Sequence, residues 1–324
     1  MSCDNTGNIP PQTPLVLDIP EGFPIPDIPE DNELTVERVA LGKMLFYDPT
    51  LSLDSTFSCA SCHLQEKGFA DANPVSIGIK DRIGFRNVPT LANVAYHPYF
   101  FREGGNPALE TQLLGPICAF EEMGFNAAEL AERIKDHPTY TPLAQTLYDR
   151  PTMDLFTLSR SIASFERTLI SGNSPFDQYY YQGNSDALTP QQIRGWQLFS
   201  SERTQCSSCH TGFDFSDYGF YNNGLYETYA DEGRQRVTLA DEDIGKFKVP
   251  TLRNIAQTAP YMHDGSLPTL EAVIAHYNQG GSNHPNKSPL ISPLQLDEQE
   301  QKDLVAFLHM LTDTNFIENP AFAP

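Results

Sequence analysis

The chain has 324 residues, with 21 basic against 42 acidic side chains and a formal charge of −21 at pH 7. So acidic a surface repels nucleic acid and anionic lipid, which excludes both as partners, and no apolar run reaches the roughly eighteen residues that a membrane span needs. The length accommodates two domains of ordinary size, each with its own core.

Residues 1–30 contain PPQTPLVLDIPEGFPIPDIPE and read as an extended Pro-rich N-terminal arm over the surface rather than a helix. Within it, Cys3 follows a small residue and is a candidate for a lipid anchor. A short helix with Gly42 and Leu45-Phe46 comes next, then CASCH, with Cys59, Cys62 and His63. That spacing is the attachment site of a c-type haem. Two thioether bonds hold the porphyrin edge on one turn, and the His directly after the second Cys lies under the iron as proximal ligand. A redox dithiol needs no such His, and tetrahedral zinc would need two further Cys or His ligands at similar spacing, which are not found. Covalent haem attachment takes place outside the cytoplasm, so the chain is expected to be exported to the periplasm with its signal removed.

Further along, the chain repeats itself. Residues 88–95, VPTLANVA, recur at 249–256 as VPTLRNIA, an offset of 161. The same offset carries Arg102-Glu103-Gly104 onto His263-Asp264-Gly265, Pro107 onto Pro268, and Leu109-Glu110 onto Leu270-Glu271. The cluster SGNSPFDQ at 171–178 marks the boundary, giving one haem domain over 31–172 and a second over 173–324. In the second, a helix with Gly195 and Leu198-Phe199 precedes CSSCH, with Cys206, Cys209 and His210. Trp196, the single tryptophan, lies on that helix and reads as a core residue beside Phe199. Each unit runs helix, CxxCH turn, long loop, then a helix opened by Pro and Leu-Glu. Strand-like alternation is scarce, which predicts a mainly α fold of two cytochrome c-like haem domains related by an internal repeat.

The helix LEAVIAHYNQ at 270–279 reaches Tyr277 two turns after Leu270, whereas its counterpart from Leu109 reaches Pro116, which has no group that can ligate iron. If these positions face the two irons, the second iron is closed by Tyr277 and the first is open to a small molecule. His276, Met262 and His263 compete for the ligand role. A buried Tyr277 that bonds a haem propionate is an equal alternative.

Both CxxCH units, together with RNVPTL (86–91), GPICAFEEMG (115–124) and KVPTLRNIAQTAPYMHDG (248–265), resemble the dihaem cytochrome c peroxidase and MauG family, from about residue 31 to about 313. In peroxidase members of that family the position of Tyr277 is a methionine ligand, and in MauG-like members it is a tyrosine; the resemblance therefore favours Tyr277. It makes Glu122 the distal acid of the peroxide-binding haem, with Gln112 and Pro116 in the same pocket. It also assigns Asn87, Thr258 and Pro260 to a calcium ion between the domains, and puts Ile79 where many peroxidases keep a second haem-ligating His. One departure is Arg102, in FREGG, where the family has a Trp between the haems.

The implied cofactors are two covalently bound haem c groups and calcium. The implied function is that of an exported enzyme that uses hydrogen peroxide to form a high-valent iron state and oxidise a residue, Trp by preference, of a partner protein held at a distance. Tryptophylquinone maturation, or conversion of a Trp to kynurenine as in methanobactin-associated relatives, would both fit. The alternative is a peroxidase that reduces hydrogen peroxide with electrons from a small donor cytochrome. A dihaem electron carrier is the non-enzymatic reading. Neither the resemblance nor the spacing assigns a role to Cys118.

Overall fold

The computed structural model describes residues 11–324, so Cys3 lies outside the described residues. Helices dominate, in the order α1 (Val36–Phe46), α2 (Leu109–Gln112), α3 (Leu114–Cys118), α4 (Ala127–Ile134), α5 (Tyr140–Tyr148) and α6 (Leu155–Glu166). The second half continues with α7 (Pro175–Tyr180), α8 (Pro190–Phe199), α9 (Gln235–Thr238), α10 (Leu270–Gln279), α11 (Glu298–His309) and α12 (Thr314–Ile317). The paired strands are β1 (Phe220–Tyr221) and β2 (Phe247–Lys248), two residues each and antiparallel. The fold is mainly α, as the sequence predicts.

Local signals explain where these helices start and stop. Thr189 caps α8 through Gln192 with Pro190 in the first turn, and Asp297 caps α11 reciprocally with Glu300. Thr269 caps α10, which ends at Gly280 in the left-handed region, at φ 83°. The sequence predicts one continuous helix from Leu109, matching α10. Instead the backbone is split at Leu113 into α2 and α3. Pro116 has no N–H for the carbonyl of Gln112 and its ring crowds that carbonyl, so the helix breaks one turn earlier.

Each unit is built on one helix crossing. In the first, α1 crosses α6 at Gly42, where a Cβ would sit 1.8 Å from the Ser161 carbonyl oxygen; in the second, α8 crosses α11 at Gly195, 1.9 Å from that of Asp303. Only glycine permits backbones so close. Leu41, Leu45, Ile117, Leu130, Ala144 and Leu158 fill the first core. Phe176, Phe199, Phe215, Ile274, Leu304 and Phe307 fill the second. Trp196 is half-buried at the edge of the second core, edge-on against Phe176 and Tyr180 rather than beside Phe199. Of the Pro-rich arm, residues 11–29 contain no helix. Phe23 anchors it under Arg253, its ring 4.7 Å from that of Phe213.

The repeat also organises the seam between the units. Asn93 and Asn254, 161 positions apart, are both left-handed, at φ 60° and 58°. Their N–H groups donate to Leu169 O and Leu311 O, each at 2.8 Å. Asn93 further donates to Ser171 O, and Asn254 Oδ1 accepts from the N–H of Asp313. The inter-unit segment and the C-terminal segment thus close equivalent turns.

Candidate haem centres

Both CxxCH segments form single 3₁₀ turns, Cys59–Ser61 and Cys206–Ser208, with the His N–H bonded back to the first Cys carbonyl at 2.9 Å in each. His63 Nδ1 lies 2.8 Å from Phe69 O, and His210 Nδ1 lies 3.0 Å from Phe215 O. A carbonyl only accepts, so Nδ1 carries the proton and Nε2 keeps its lone pair for a metal. Both acceptor residues are left-handed, Phe69 at φ 61° and Phe215 at φ 50°, which turns their carbonyls onto the rings. The loop that directly follows each CxxCH turn therefore holds its imidazole in one tautomer.

All four motif cysteines are free of disulfides. Burial raises each thiol, Cys62 to about 12 and Cys209 to about 11. Reactive dithiols and zinc ligands need the opposite, a stabilised thiolate. Among the described residues no group of three His, Cys, Asp or Glu side chains converges as a zinc site requires.

The second centre is a deep, largely apolar cavity whose lining includes Cys206, Cys209, His210, Phe199, Leu252 and Ile274. Tyr277 lines it too. Burial holds the Tyr277 phenol up to about 12, so it ionises at neutral pH only beside a cation such as iron. His276 does not line the cavity, and its Nε2 lies 3.1 Å from Asn223 O. His263 lines the cavity too, with its ring stacked on Phe247, centroids 4.1 Å apart. Met262 does reach the cavity, where its sulfur accepts from Asn223 Nδ2 at 3.2 Å. At the rim, burial lowers the Lys248 ammonium to about 8, and burial with Arg86 nearby lowers Arg102 to about 10. An apolar slot lined by an imidazole with its Nε2 left for a metal, two thiols and two cationic residues fits haem c, whose two propionates are anionic. No motif marked Lys248 as a rim cation, and its place directly before the second VPTL is the signal that could have found it.

At the first centre, Ile79 is fully buried, with its N–H donating to Glu122 O at 2.9 Å. The preceding Gly78 has room for no Cβ, which would lie 2.2 Å from Glu121 O. Cys62 Sγ lies 4.0 Å from Ile77 O, and the Glu122 charge acts on that thiol. This brings Glu122 to the side of the first attachment turn. Burial, then the neighbouring Glu121, raises the Glu122 carboxyl. Pro116 belongs to the same short loop through Met123 N–H donating to its carbonyl at 3.2 Å. Gln112 ends α2 one turn before Pro116.

Of the expected calcium set of Asn87, Thr258 and Pro260, Asn87 already has a cationic partner. Asn87 O and Oδ1 both accept from the Arg102 guanidinium, at 2.8 and 2.5 Å. Those oxygens, already facing a cation, do not fit a divalent ion.

Comparisons with known proteins agree with this geometry. The family model for di-haem cytochrome c peroxidase matches residues 36–186, and that for cytochrome c matches residues 192–312. The methylamine utilization protein MauG of Methylorubrum extorquens is 36% identical over 301 residues, covering 90% of this chain and 82% of that protein. The cytochrome-c peroxidase IdrP1 of Denitromonas iodatirespirans is 35% identical over 325 residues, covering 90% and 85%. The crystal structure of a MauG-like protein associated with microbial copper homeostasis matches with a TM-score of 0.89 at 35% identity, over 95% of this chain and 99% of that one.

Proposed function

The chain belongs to the di-haem cytochrome c peroxidase and MauG family, a family of haem-dependent oxidoreductases acting with peroxide, and from that premise we propose that it oxidises a residue of a partner protein, Trp by preference. The observation that carries the reading is Tyr277, a phenol in the same cavity as His210, while Pro116 holds the equivalent place in the first unit. Haem c held at His63 and at His210 would supply the redox chemistry, peroxide activation at one centre and storage of oxidising power at the other. Hydrogen peroxide gains two electrons and two protons to become two waters, and both electrons leave the partner's residue.

The chain's own residues divide the remaining work. His63 and His210 present Nε2 in a fixed tautomer. Ile79 and Pro116 carry no ligating atom, which leaves the far side of the first site open to peroxide. Glu122, raised by burial, takes the proton from one peroxide oxygen and returns it to the other. Gln112, which ends α2 one turn before Pro116, is assigned to this pocket by the family resemblance alone. Tyr277 offers a hard anionic donor, which favours oxidised iron, where a thioether would favour reduced iron.

Haem c attachment takes place outside the cytoplasm, which supports a periplasmic location, and Cys3 is the candidate for a lipid anchor. Among the described residues no helix is long and apolar enough to cross a membrane. A copper-homeostasis setting, that of the structural relative above, is the first in which to seek the partner.

A cytochrome c peroxidase is the second reading, favoured by the Met262 thioether in the second cavity. Steady-state turnover with a reduced small cytochrome, set beside mass spectrometry of co-purified proteins after peroxide treatment, separates the two. A mass shift on a partner with slow cytochrome turnover supports partner oxidation. Fast turnover with no modified partner supports the peroxidase.

A further inference from the structure

Asn87 uses every polar group it has at the seam between the units. Its N–H donates to His263 O at 2.8 Å and its Nδ2 to Asn73 O at 3.3 Å. Its carbonyl and its Oδ1 are the two acceptors left, and one guanidinium takes both, Arg102 Nε at 2.8 Å and Nη2 at 2.5 Å. The planar fork of Arg102 matches two oxygens presented side by side, a geometry that an ammonium could not reproduce. Arg102 is tied to the second unit as well, because its carbonyl accepts from Lys248 N–H at 2.7 Å. By contrast, the carbonyls of Thr258 and Pro260 accept no hydrogen bond among the described residues.

The local field favours one monovalent cation and disfavours a second, divalent one. Arg86 lies close enough to push Arg102 down, and Lys248 lies under the repulsion of Arg102. The two carboxylates nearest Arg86, Glu103 and Asp231, are already paired with it. Asp264 is left to act on Arg102. Calcium takes six to eight oxygen ligands, anionic ones among them, and at Asn87 it would meet a guanidinium instead.

We infer that the Arg102 guanidinium is the resident cation of the inter-unit seam, and that the chain holds its two haem units together without calcium. Arg102 occupies what the resemblance assigns to two different parts, the inter-haem side chain and the metal. This inference is independent of which substrate the enzyme oxidises.

The test uses the protein with both haems attached, stripped with EGTA and dialysed. Elemental analysis is expected to find less than about 0.1 calcium per chain, and the thermal midpoint is expected not to move when millimolar calcium is restored. Calcium near one per chain after dialysis without chelator, or a midpoint that falls in EGTA, overturns the inference. An Arg102→Gln variant frees both Asn87 oxygens and removes the charge, so its midpoint should rise with added calcium and not with sodium at matched ionic strength. A folded variant that stays indifferent to calcium overturns the claim that guanidinium and ion occupy one place. The wild-type measurements decide the calcium question even if the variant fails to load haem.

Discussion

Lys248 donates its backbone N–H to the carbonyl of Arg102 at 2.7 Å, and the repeat returns the same bond as Asn87 N–H to His263 O at 2.8 Å. Asn87 and Lys248 are 161 positions apart, and so are Arg102 and His263. The two units therefore meet through a pair of bonds related by the duplication, with the backbone symmetry kept and the side chains free to diverge. That divergence puts Arg102 and Lys248 at the rim of the second cavity.

Arg86 spans the same seam, binding Asp231 through Nε at 2.6 Å and Nη2 at 2.9 Å, with Glu103 on Nη1. Both side chains of the Arg86–Asp231 pair are mostly buried, at 16% and 12% exposure. Arg86→Gln leaves two carboxylates unpaired and is expected to lower stability by about 1–3 kcal/mol, less than a fully enclosed pair because some solvent screens it. Thermal unfolding of the haem-loaded protein checks this. An unchanged midpoint would show that the seam does not depend on the pair.

Glu166 on α6 gives a pH dependence. It is 5% exposed, no hydrogen bond to its carboxyl is present among the described residues, and burial raises it to about 8. In the unfolded chain a glutamate ionises near 4.3. Between about 4.3 and about 8 the folded state keeps a proton that the unfolded state has released, so this group's contribution is favourable at low pH and is lost as pH rises. Glu166→Gln removes the effect and should raise stability at pH 8 by roughly 1–4 kcal/mol while leaving it little changed near pH 4. Denaturant unfolding at the two pH values tests the prediction; parallel curves for wild type and variant would refute it.

Much of this was legible where the signal is local or covalent. The CxxCH spacing marks haem attachment within five residues, and the offset of 161 pairs Tyr277 with Pro116 in the sequence alone. Gly42 and Gly195 were visible as matching residues, but the reason for them, a backbone carbonyl less than 2 Å from a would-be Cβ, lies on α6 and α11 more than a hundred positions away. The split of α2 from α3 could have been read from Pro116. The Arg102 clamp on Asn87 could not, since it depends on how a loop folds back across fifteen residues.

Gly195→Val tests the helix crossing. The new Cβ would meet Asp303 O at 1.9 Å and Phe307 Cβ at 2.8 Å, neither of which is the mobile end of a side chain. Overpacking of this kind costs about 3 kcal/mol or more here, because α8 and α11 must separate. The variant should lose thermal stability and load less of the second haem, read by the haem-to-protein ratio. Normal loading and midpoint would mean that the crossing tolerates separation.

Glu122→Gln keeps the size of the proposed proton carrier and removes its acid–base function. Peroxide consumption should slow by a factor on the order of 10² at neutral pH. Stopped-flow measurement of peroxide loss reads this directly, and a rate equal to that of wild type would assign Glu122 a structural role beside Glu121.

Tyr277→His separates the chemistry of the two centres. The imidazole extends from the same turn of α10 and can reach a metal facing His210, but it is neutral, so it cannot give the oxidised iron the anionic support of a phenolate. Glu122, Pro116 and Ile79 are untouched, so peroxide should still be consumed at the first centre. Partner oxidation should fail, because the second centre no longer holds its share of the oxidising power. The electron paramagnetic resonance spectrum of the resting variant should change at the second haem alone, and a His276→Ala control should leave it unchanged, since His276 is turned to Asn223 O. If Tyr277→His modifies the partner at the wild-type rate, or if the wild-type spectrum reports the Met262 thioether on the iron, partner oxidation loses its support and the second centre becomes the electron entry port of a peroxidase.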